Sequence, residues 1–260
     1  AMALSTLQHM HNEKVSADAV TYGATISTCK RGQHWRLTLA LLQRMRHEEV
    51  RPDTTTYNAA ISACERQWEV AAALLQRMQA EGLEPNDISY NATISAYEKA
   101  GEWEMALGLL LIMRCYSLEP GLVTYSAAIS ACSRGRGERP WIAAEALMRC
   151  LRQGHLEPDA VTYGALLSAY ERGHQWATAL ALLQQMHSTG VDPDVVSCSV
   201  LISACGKGRQ WVAALALLGG MLQQGPEPNT VSFAAALLAC VADRWDLALN
   251  LLDKMDAQSV

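Results

Sequence analysis

The tryptophans of this 260-residue chain recur at a nearly fixed interval, and that interval constrains the fold more than any other feature. Successive tryptophans are separated by 33, 35, 38, 35, 35 and 34 residues: Trp35, Trp68, Trp103, Trp141, Trp176, Trp211 and Trp245. A methionine stands ten residues after each, except in the fourth copy, where Leu151 takes its place. A period near 35 residues is typical of supersecondary units that stack on their neighbours.

The copy Ala160–Asp194 indicates how one unit folds. Apolar residues recur at helical spacing from Val161 to about Glu171, and Gly173 stands where that helix is expected to end. From Trp176 a second set of apolar residues covers an arc of about 160° at 100° per residue. Gly190 and Pro193 end this second segment. Each copy therefore predicts an antiparallel helical hairpin, and its wide apolar arc must be buried against neighbouring hairpins.

The repeat predicts an all-α chain that forms one continuous solenoid of about seven copies. Residues 1–18 supply a second helix only; the copies that follow are 19–53, 54–86, 87–121, 122–159, 160–194, 195–229 and the partial 230–260. The three extra residues of copy four fall in the inter-helix stretch Gly135–Pro140, where an insertion leaves helix faces in register. Because neither end carries a polar capping repeat, we expect a fragment of a longer array.

The cysteines follow the same period. Five of the eight share one position late in the first helix, where two other copies carry Tyr97 and Tyr170: Cys29, Cys64, Cys132, Cys205 and Cys240. A position shared by Cys and Tyr favours packing over metal ligation, and the chain has no CxxC pair. We therefore expect no metal, no cofactor and no disulfide framework. No apolar run reaches the roughly 18 residues of a membrane span.

The motifs VTYGALLSAYERGHQW, ALALLQQM and GVDPD resemble the pentatricopeptide repeat, and the resemblance covers essentially the whole chain. The tetratricopeptide repeat is excluded because its tryptophan lies early in the first helix. The resemblance implies a right-handed superhelical solenoid that binds single-stranded RNA, one nucleotide per repeat. It also implies a monomer that acts in RNA processing, stabilisation or editing in mitochondria or plastids.

Four sets of residues bear on RNA binding. The residue after the position that is tyrosine in the first five copies, here called the inner slot, is small or an amide: Gly23, Asn58, Asn91, Ser126, Gly164, Ser199 and Ala234. Either only small side chains fit between adjacent first helices, or hydroxyls and amides face a groove and bond to base edges.

The last residue of each copy, the closing slot, is the second set: Asp53, Asn86, Gly121, Asp159, Asp194 and Asn229. Asp, Asn and Gly are preferred N-caps for the helix that follows, and an N-cap can also point into a groove.

The resemblance implies that the inner and closing slots together choose the base. It gives guanine for Gly23 with Asp53, a pyrimidine for Asn58 with Asn86, a pyrimidine for Asn91 with Gly121, guanine for Ser126 with Asp159, guanine for Gly164 with Asp194, and adenine for Ser199 with Asn229. The implied RNA is G-Y-Y-G-G-A from 5′ to 3′.

The third set, the basic slot, places a cation late in the first helix of every complete copy: Arg31, Arg66, Lys99, Arg134, Arg172 and Lys207. A cation at repeat spacing suits a phosphate backbone, although a helix C-terminus also favours one. Glu65, Glu98 and Glu171 stand beside three of these cations, and the formal net charge is −5. We therefore expect modest, salt-dependent affinity.

The second residue of most copies is aliphatic, and Thr55 replaces it in copy two. The members of this aliphatic slot are Val20, Ile88, Val123, Val161, Val196 and Val231. They resemble the family's wedges between bases, and they also suit a core position at a helix start.

Two other function classes are weighed against RNA binding. Helical-hairpin solenoids also serve as scaffolds for protein partners, and the basic slot is the feature that favours RNA over a scaffold. An enzyme is not expected, because the seven histidines share no position and form no HExxH pair, and no P-loop or G-x-S-x-G is present.

Overall fold

The computed structural model describes residues 18–241 except 33 and 138, and the side chains of residues 30, 31, 224 and 241 are not described. Within these residues the chain forms thirteen α-helices and no strand, which confirms the all-α prediction. The helices are α1 Ala19–Gly32, α2 Trp35–His47, α3 Thr54–Ala63, α4 Trp68–Ala80, α5 Asp87–Ala100, α6 Trp103–Cys115, α7 Leu122–Arg134, α8 Pro140–Gln153, α9 Ala160–Arg172, α10 Trp176–Ser188, α11 Val195–Lys207, α12 Trp211–Gln224 and α13 Thr230–Val241.

The chain divides into two compact units, Ala1–Arg134 and Gly135–Val260. The division falls at the start of the insertion of copy four, so that α7 belongs to the first unit and α8 to the second. Within each unit every helix packs on the next, and the odd-numbered helices also pack on one another. The helices thus form stacked hairpins, as the repeat predicts. The partial copy before residue 18, Trp245 and the methionines at positions 10 and 255 lie outside the described residues.

The methionine and tyrosine positions form the core of the stack. Met45, Met78, Met113 and Met186 have no exposed surface. Tyr57 is equally buried, and its hydroxyl reaches the polar edge of the core, where it donates to Glu81 Oε2 at 2.8 Å. Burial and this hydrogen bond raise the pKa of Tyr57 to about 12. Truncating one such methionine to alanine is expected to cost about 2–5 kcal/mol.

The glycine between the two helices of copy five is fixed by a neighbouring tryptophan. Gly173 follows α9 with a φ of −78°, which any residue can adopt; the left-handed residue is His174, with a φ of 56°. A Cβ on Gly173 would lie 2.4 Å from Trp141 Cδ1. The same indole contacts the ring of Tyr170 at a centroid distance of 6.3 Å. The predicted helix end is therefore correct, and packing is the physical reason for its glycine.

The shared Cys and Tyr position is buried, which confirms its packing role. Burial raises the pKa of Cys64 to about 11 and that of Cys132 to about 12, so both stay thiols at neutral pH. In the part of the chain that the structure describes, no three His, Cys, Asp or Glu side chains come together to hold a metal. None of the helices described there is long and apolar enough to cross a membrane.

Candidate nucleic-acid interface

The closing slot caps the first helices. Side-chain oxygens of Asp53, Asp159 and Asp194 each accept the backbone N–H of the third residue of the following helix at 2.8 Å. Asn86 and Asn229 do the same at 3.2 and 3.0 Å. The N-cap interpretation is therefore confirmed for these five, while Gly121 has no side chain to offer. All five remain exposed at the mouths of the helices, so that capping leaves them accessible.

A hydroxyl that the sequence analysis missed lies beside each cap. The third residue of every first helix is Ser or Thr, and here it is called the hydroxyl slot: Thr21, Thr56, Ser89, Thr124, Thr162, Ser197 and Ser232. From Thr56 onwards these residues are buried. The signal in the sequence was a hydroxyl at an invariant position within the repeat, one residue before the tyrosine slot.

The hydroxyl slot connects the inner slot of one copy with the N-cap of the next. At the junction of copies two and three, Asn58 Nδ2 donates to Asn86 Oδ1 at 3.1 Å. The hydroxyl of Ser89 lies 2.5 Å from Asn58 Oδ1 and 3.1 Å from Asn86 Oδ1. Asn58 is only 7% exposed, and both ends of its amide are bonded. The structure thus brings together the two side chains that the sequence paired for copy two.

Other junctions repeat part of this arrangement. Thr124 Oγ1 donates to Asn91 Oδ1 at 2.6 Å, and the hydroxyls of Ser199 and Ser232 are 2.8 Å apart. Ser232 Oγ also lies 3.1 Å from Asn229 Oδ1, so that the inner and closing slots of copy six both contact this hydroxyl.

Glycine in the inner slot is not forced by crowding. A Cβ on Gly23 would lie 3.4 Å from Thr56 Oγ1, and one on Gly164 would lie 3.7 Å from Ser197 Oγ. These are ordinary contact distances, and Asn58 fits in the same slot. Ser126 Oγ donates to Leu122 O at 2.8 Å; this serine and Asp159 belong to different units, so their pairing stays a sequence-based prediction.

The aliphatic slot is exposed, so the core interpretation of these residues is wrong. Between 60% and 77% of each is accessible: Val20, Ile88, Val123, Val161, Val196 and Val231. The slot comes two residues after the N-cap, in the first turn of the helix, whereas from copy two onwards the next two residues are buried. Each of the two compact units therefore presents aliphatic side chains at repeat spacing beside its exposed N-caps.

The basic slot divides into paired and unpaired cations. Lys99 pairs with Glu65, Arg134 with Glu98 at 3.7 Å, and Lys207 with Glu171 at 2.7 Å. Each partner belongs to the preceding copy, so the glutamates do not pair with the cations beside them in sequence. Arg66 and Arg172 are exposed and have no ion pair or hydrogen bond to any residue that the structure describes. The Arg31 side chain lies outside the described residues.

In the sequence, the residue before the basic slot of the preceding copy follows the same division. Copies two, three and five carry Glu65, Glu98 and Glu171 there, whereas copies one and four carry Lys30 and Ser133. The basic-slot residues of the copies that come after copies one and four are Arg66 and Arg172, which have no ion pair to a described residue. The paired cations also lie in the last turn of their helices, where the helix dipole favours them, so the helix-terminus interpretation is compatible with the structure.

The carboxylate of Glu98 is largely removed from solvent, with 19% of its side chain exposed. Burial raises the pKa of Glu98, although Arg134 and Lys99 oppose the shift, and nearby Glu65 adds to it. The ion pair with Arg134 therefore does not fully offset the cost of removing this carboxylate from water.

Three family models match the chain. The "PPR repeat family" model matches residues 85–134 and 158–207, the "pentatricopeptide repeat domain" model matches 5–66, and the "PPR repeat" model matches 196–226. Together these matches span more than half of the chain. No curated protein sequence matches it.

Solved structures agree with the family models. The pentatricopeptide repeat protein PPR10 from maize matches with a TM-score of 0.69 and 27% identity, over 98% of this chain and 36% of that chain. PPR10 in complex with an 18-nt psaJ RNA element matches with a TM-score of 0.59 and 20% identity, over 99% of this chain and 42% of that chain. The chain thus spans less than half the length of these two structures.

A third structure supports the fold from a shorter chain. The PPR domain of Arabidopsis thaliana protein-only RNase P 1, in complex with tRNA, matches with a TM-score of 0.57 and 15% identity, over 64% of this chain and 87% of that chain. Because this domain and the PPR10–RNA complex share only 15% and 20% sequence identity with this chain, their similarity to it shows the fold alone. Period, helical hairpins, family models and solved structures together show that this chain belongs to the pentatricopeptide repeat family.

Proposed function

We propose that this chain binds single-stranded RNA, with one nucleotide for each copy of the repeat. The observation that carries the proposal is the aliphatic slot, whose side chains are exposed at repeat spacing beside exposed polar caps. Enclosing such a side chain between base faces removes apolar surface from water and contributes about 1–2 kcal/mol for each. Members of the family to which this chain belongs are found in complex with RNA, PPR10 with an 18-nt psaJ RNA element and the RNase P 1 domain with tRNA.

The three slots take different parts in this proposal. The inner and closing slots choose the base, because their amides, hydroxyls and carboxylates match donors and acceptors on base edges. The basic slot contacts phosphates, and Arg66 and Arg172 are its unpaired members. The proposed target is G-Y-Y-G-G-A, in which the assignments for Gly23 and Gly164 rest on the aspartates of their copies. A role in RNA processing, stabilisation or editing in mitochondria or plastids follows from the family resemblance.

Binding of protein partners is the second candidate, and one observation favours it. Leu111 and Ile112 of helix α6 and Tyr116, which directly follows it, are exposed to solvent. Exposed apolar groups of this kind are typical of contact sites for other proteins. This candidate predicts that the aliphatic slot is dispensable for the main binding activity.

The first experiment measures fluorescence anisotropy with single-stranded GCUGGA RNA, a scrambled RNA and the equivalent DNA at two salt concentrations. We expect preference for the designed RNA and weaker binding at high salt. Salt-sensitive binding without sequence preference would keep the RNA groove and discard the base assignments. No binding at low salt would favour the scaffold.

A matched pair of variants tests the aliphatic slot itself. Val161→Asp with Val196→Asp places two carboxylates where the bases and phosphates of RNA are proposed to lie, and we expect at least a tenfold loss of affinity. Val212→Asp is the control, since Val212 is 61% exposed on the second helix α12 and a carboxylate there changes the same type of residue at similar exposure. Equal effects of the two changes would contradict the proposed groove.

A further inference from the structure

We propose that the buried hydroxyl of Ser89 is a positioning residue, which fixes the orientation of the Asn58 amide and thereby the base preference of copy two. The inference rests on the proposed RNA binding. Ser89 belongs to the next copy, and because it is buried it cannot touch a base. The inference therefore gives it an indirect part in specificity. Thr124 and Ser232 take the same part for copies three and six.

The orientation of the two amides follows from a chain of fixed bonds. Asn86 Oδ1 accepts the backbone N–H of Ser89 at 3.2 Å, so the N-cap keeps the oxygen of this amide turned towards the helix. Asn58 Nδ2 donates to the same oxygen at 3.1 Å, and Ser89 Oγ also lies 3.1 Å from it. Asn58 Oδ1 is then left facing Ser89 Oγ at 2.5 Å, where the hydroxyl donates to it.

The reversed orientation of Asn58 is disfavoured by the same geometry. It would place Asn58 Oδ1 against Asn86 Oδ1, and two acceptors at hydrogen-bond distance repel each other. In the observed orientation the Nδ2 group of Asn86 donates to no residue that the structure describes, and Asn86 is exposed. Copy two therefore presents Asn86 Nδ2 to a base, and the Asn58 amide, which Ser89 orients, keeps the Asn86 oxygen turned inwards.

Removing the hydroxyl removes the partner that holds Asn58 Oδ1. Asn58 Oδ1 is then a buried acceptor without a donor, so the Asn58 amide is expected to turn away and to release its bond to Asn86 Oδ1. Asn86 can then present its oxygen or its amide group to the base, and the contrast between bases falls. We expect Ser89→Ala to lower the pyrimidine-to-purine preference at the second nucleotide by at least fivefold. Ser89→Thr should restore the preference, because threonine occupies the same slot in copies one, two, four and five as Thr21, Thr56, Thr124 and Thr162.

Copy five supplies the matched control. Ser197 occupies the hydroxyl slot that follows Gly164, and Gly164 has no side chain to orient. The N-cap residue Asp194 accepts the backbone N–H of Ser197. Ser197→Ala should therefore leave the base preference at the fifth nucleotide unchanged, although it removes the same kind of buried hydroxyl.

The experiment measures affinity for four RNAs that differ only at the second nucleotide, and a second set that differs only at the fifth, with wild type, Ser89→Ala, Ser89→Thr and Ser197→Ala. Loss of preference in Ser89→Ala alone, with recovery in Ser89→Thr, supports the inference. Unchanged preference in a folded Ser89→Ala variant overturns it and leaves RNA binding standing. A wild type that binds RNA without preference at the second nucleotide also overturns it, and one that binds no RNA overturns the proposed function as well.

A second variant covers failure to fold. Ser232→Ala, checked by thermal melting, removes the hydroxyl that contacts both Ser199 and Asn229. We expect the preference at the sixth nucleotide to fall while the other positions keep theirs, and an unchanged preference there would overturn the inference for copy six and for Ser89 alike.

Discussion

Arg172 and Lys207 occupy the same slot in adjacent copies of the second unit, yet they are different electrostatic sites. Lys207 lies 2.7 Å from Glu171, and the same carboxylate oxygen accepts from Ser203 Oγ at 2.7 Å. Arg172 is exposed and has no ion pair to any described residue. In the sequence of the preceding copy, Ser133 occupies the position that Glu171 occupies in copy five. The charge that a phosphate would meet therefore depends on the preceding copy.

The comparison shows that the surroundings of a basic-slot cation depend on the junction between two copies. A single copy contains a cation, a cap and an inner residue, but the glutamate that pairs with the cation, the helix that is capped and the hydroxyl beside the inner residue belong to neighbouring copies. A phosphate that approaches Lys207 also approaches the Glu171 carboxylate, and the two anions repel each other. An exposed ion pair adds at most about 1 kcal/mol to folding, so the glutamate affects ligand binding more than stability.

The largest expected effect comes from removing an unpaired cation. Arg172→Ala should weaken RNA binding by about tenfold and reduce the slope of log affinity against log salt by about one, because one phosphate contact is lost. Lys207→Ala should weaken binding by less than about threefold, since Glu171 already offsets that charge. Anisotropy titrations over a range of potassium chloride concentrations measure both quantities. Equal losses in the two variants would show that the ion pair opens without cost when RNA binds.

A smaller effect of opposite sign is expected when the partner is neutralised. Glu171→Gln leaves a side chain that can still accept from Ser203, and it frees Lys207 for a phosphate. RNA affinity should rise by about two- to fivefold. Glu145→Gln is the control, because Glu145 pairs with Arg149 within the second helix α8 at 3.3 Å and removes the same net charge. If both variants raise affinity equally, net charge and not the local pair is responsible.

The sequence predicted the fold because the fold depends on spacing. Trp176, Met186 and Gly190 mark the start, core and end of a helix by their intervals alone, and the structure has α10 at Trp176–Ser188. The N-caps were also predictable, since the preference of Asp and Asn for helix starts is local. These properties need no knowledge of which residues meet across copies.

Exposure and pairing required the structure. Val161 has the residue type of a core position, and only the stacking of first helices shows that its face stays open. Glu171 stands beside Arg172 in sequence but pairs with Lys207, because residues next to each other on a helix face different directions. The Ser89 hydroxyl was visible as a repeated Ser or Thr, but its part in holding Asn58 depends on a contact 31 residues away.

The smallest expected effect concerns the pH dependence of Glu98. Burial raises its pKa despite Arg134 and Lys99, so the folded protein takes up this proton more readily than the unfolded chain does. The stability contributed by the proton is fully present below the unfolded pKa of Glu and is lost as pH rises through the folded pKa. Glu98→Gln should match wild type in unfolding free energy near pH 4 and become slightly more stable than wild type towards pH 7, as denaturant titrations at each pH would measure. A variant that loses stability relative to wild type over this interval would show that the ion pair with Arg134 outweighs the cost of burying the carboxylate. Arg134 would then resemble Lys207, as a cation that is firmly paired with its glutamate.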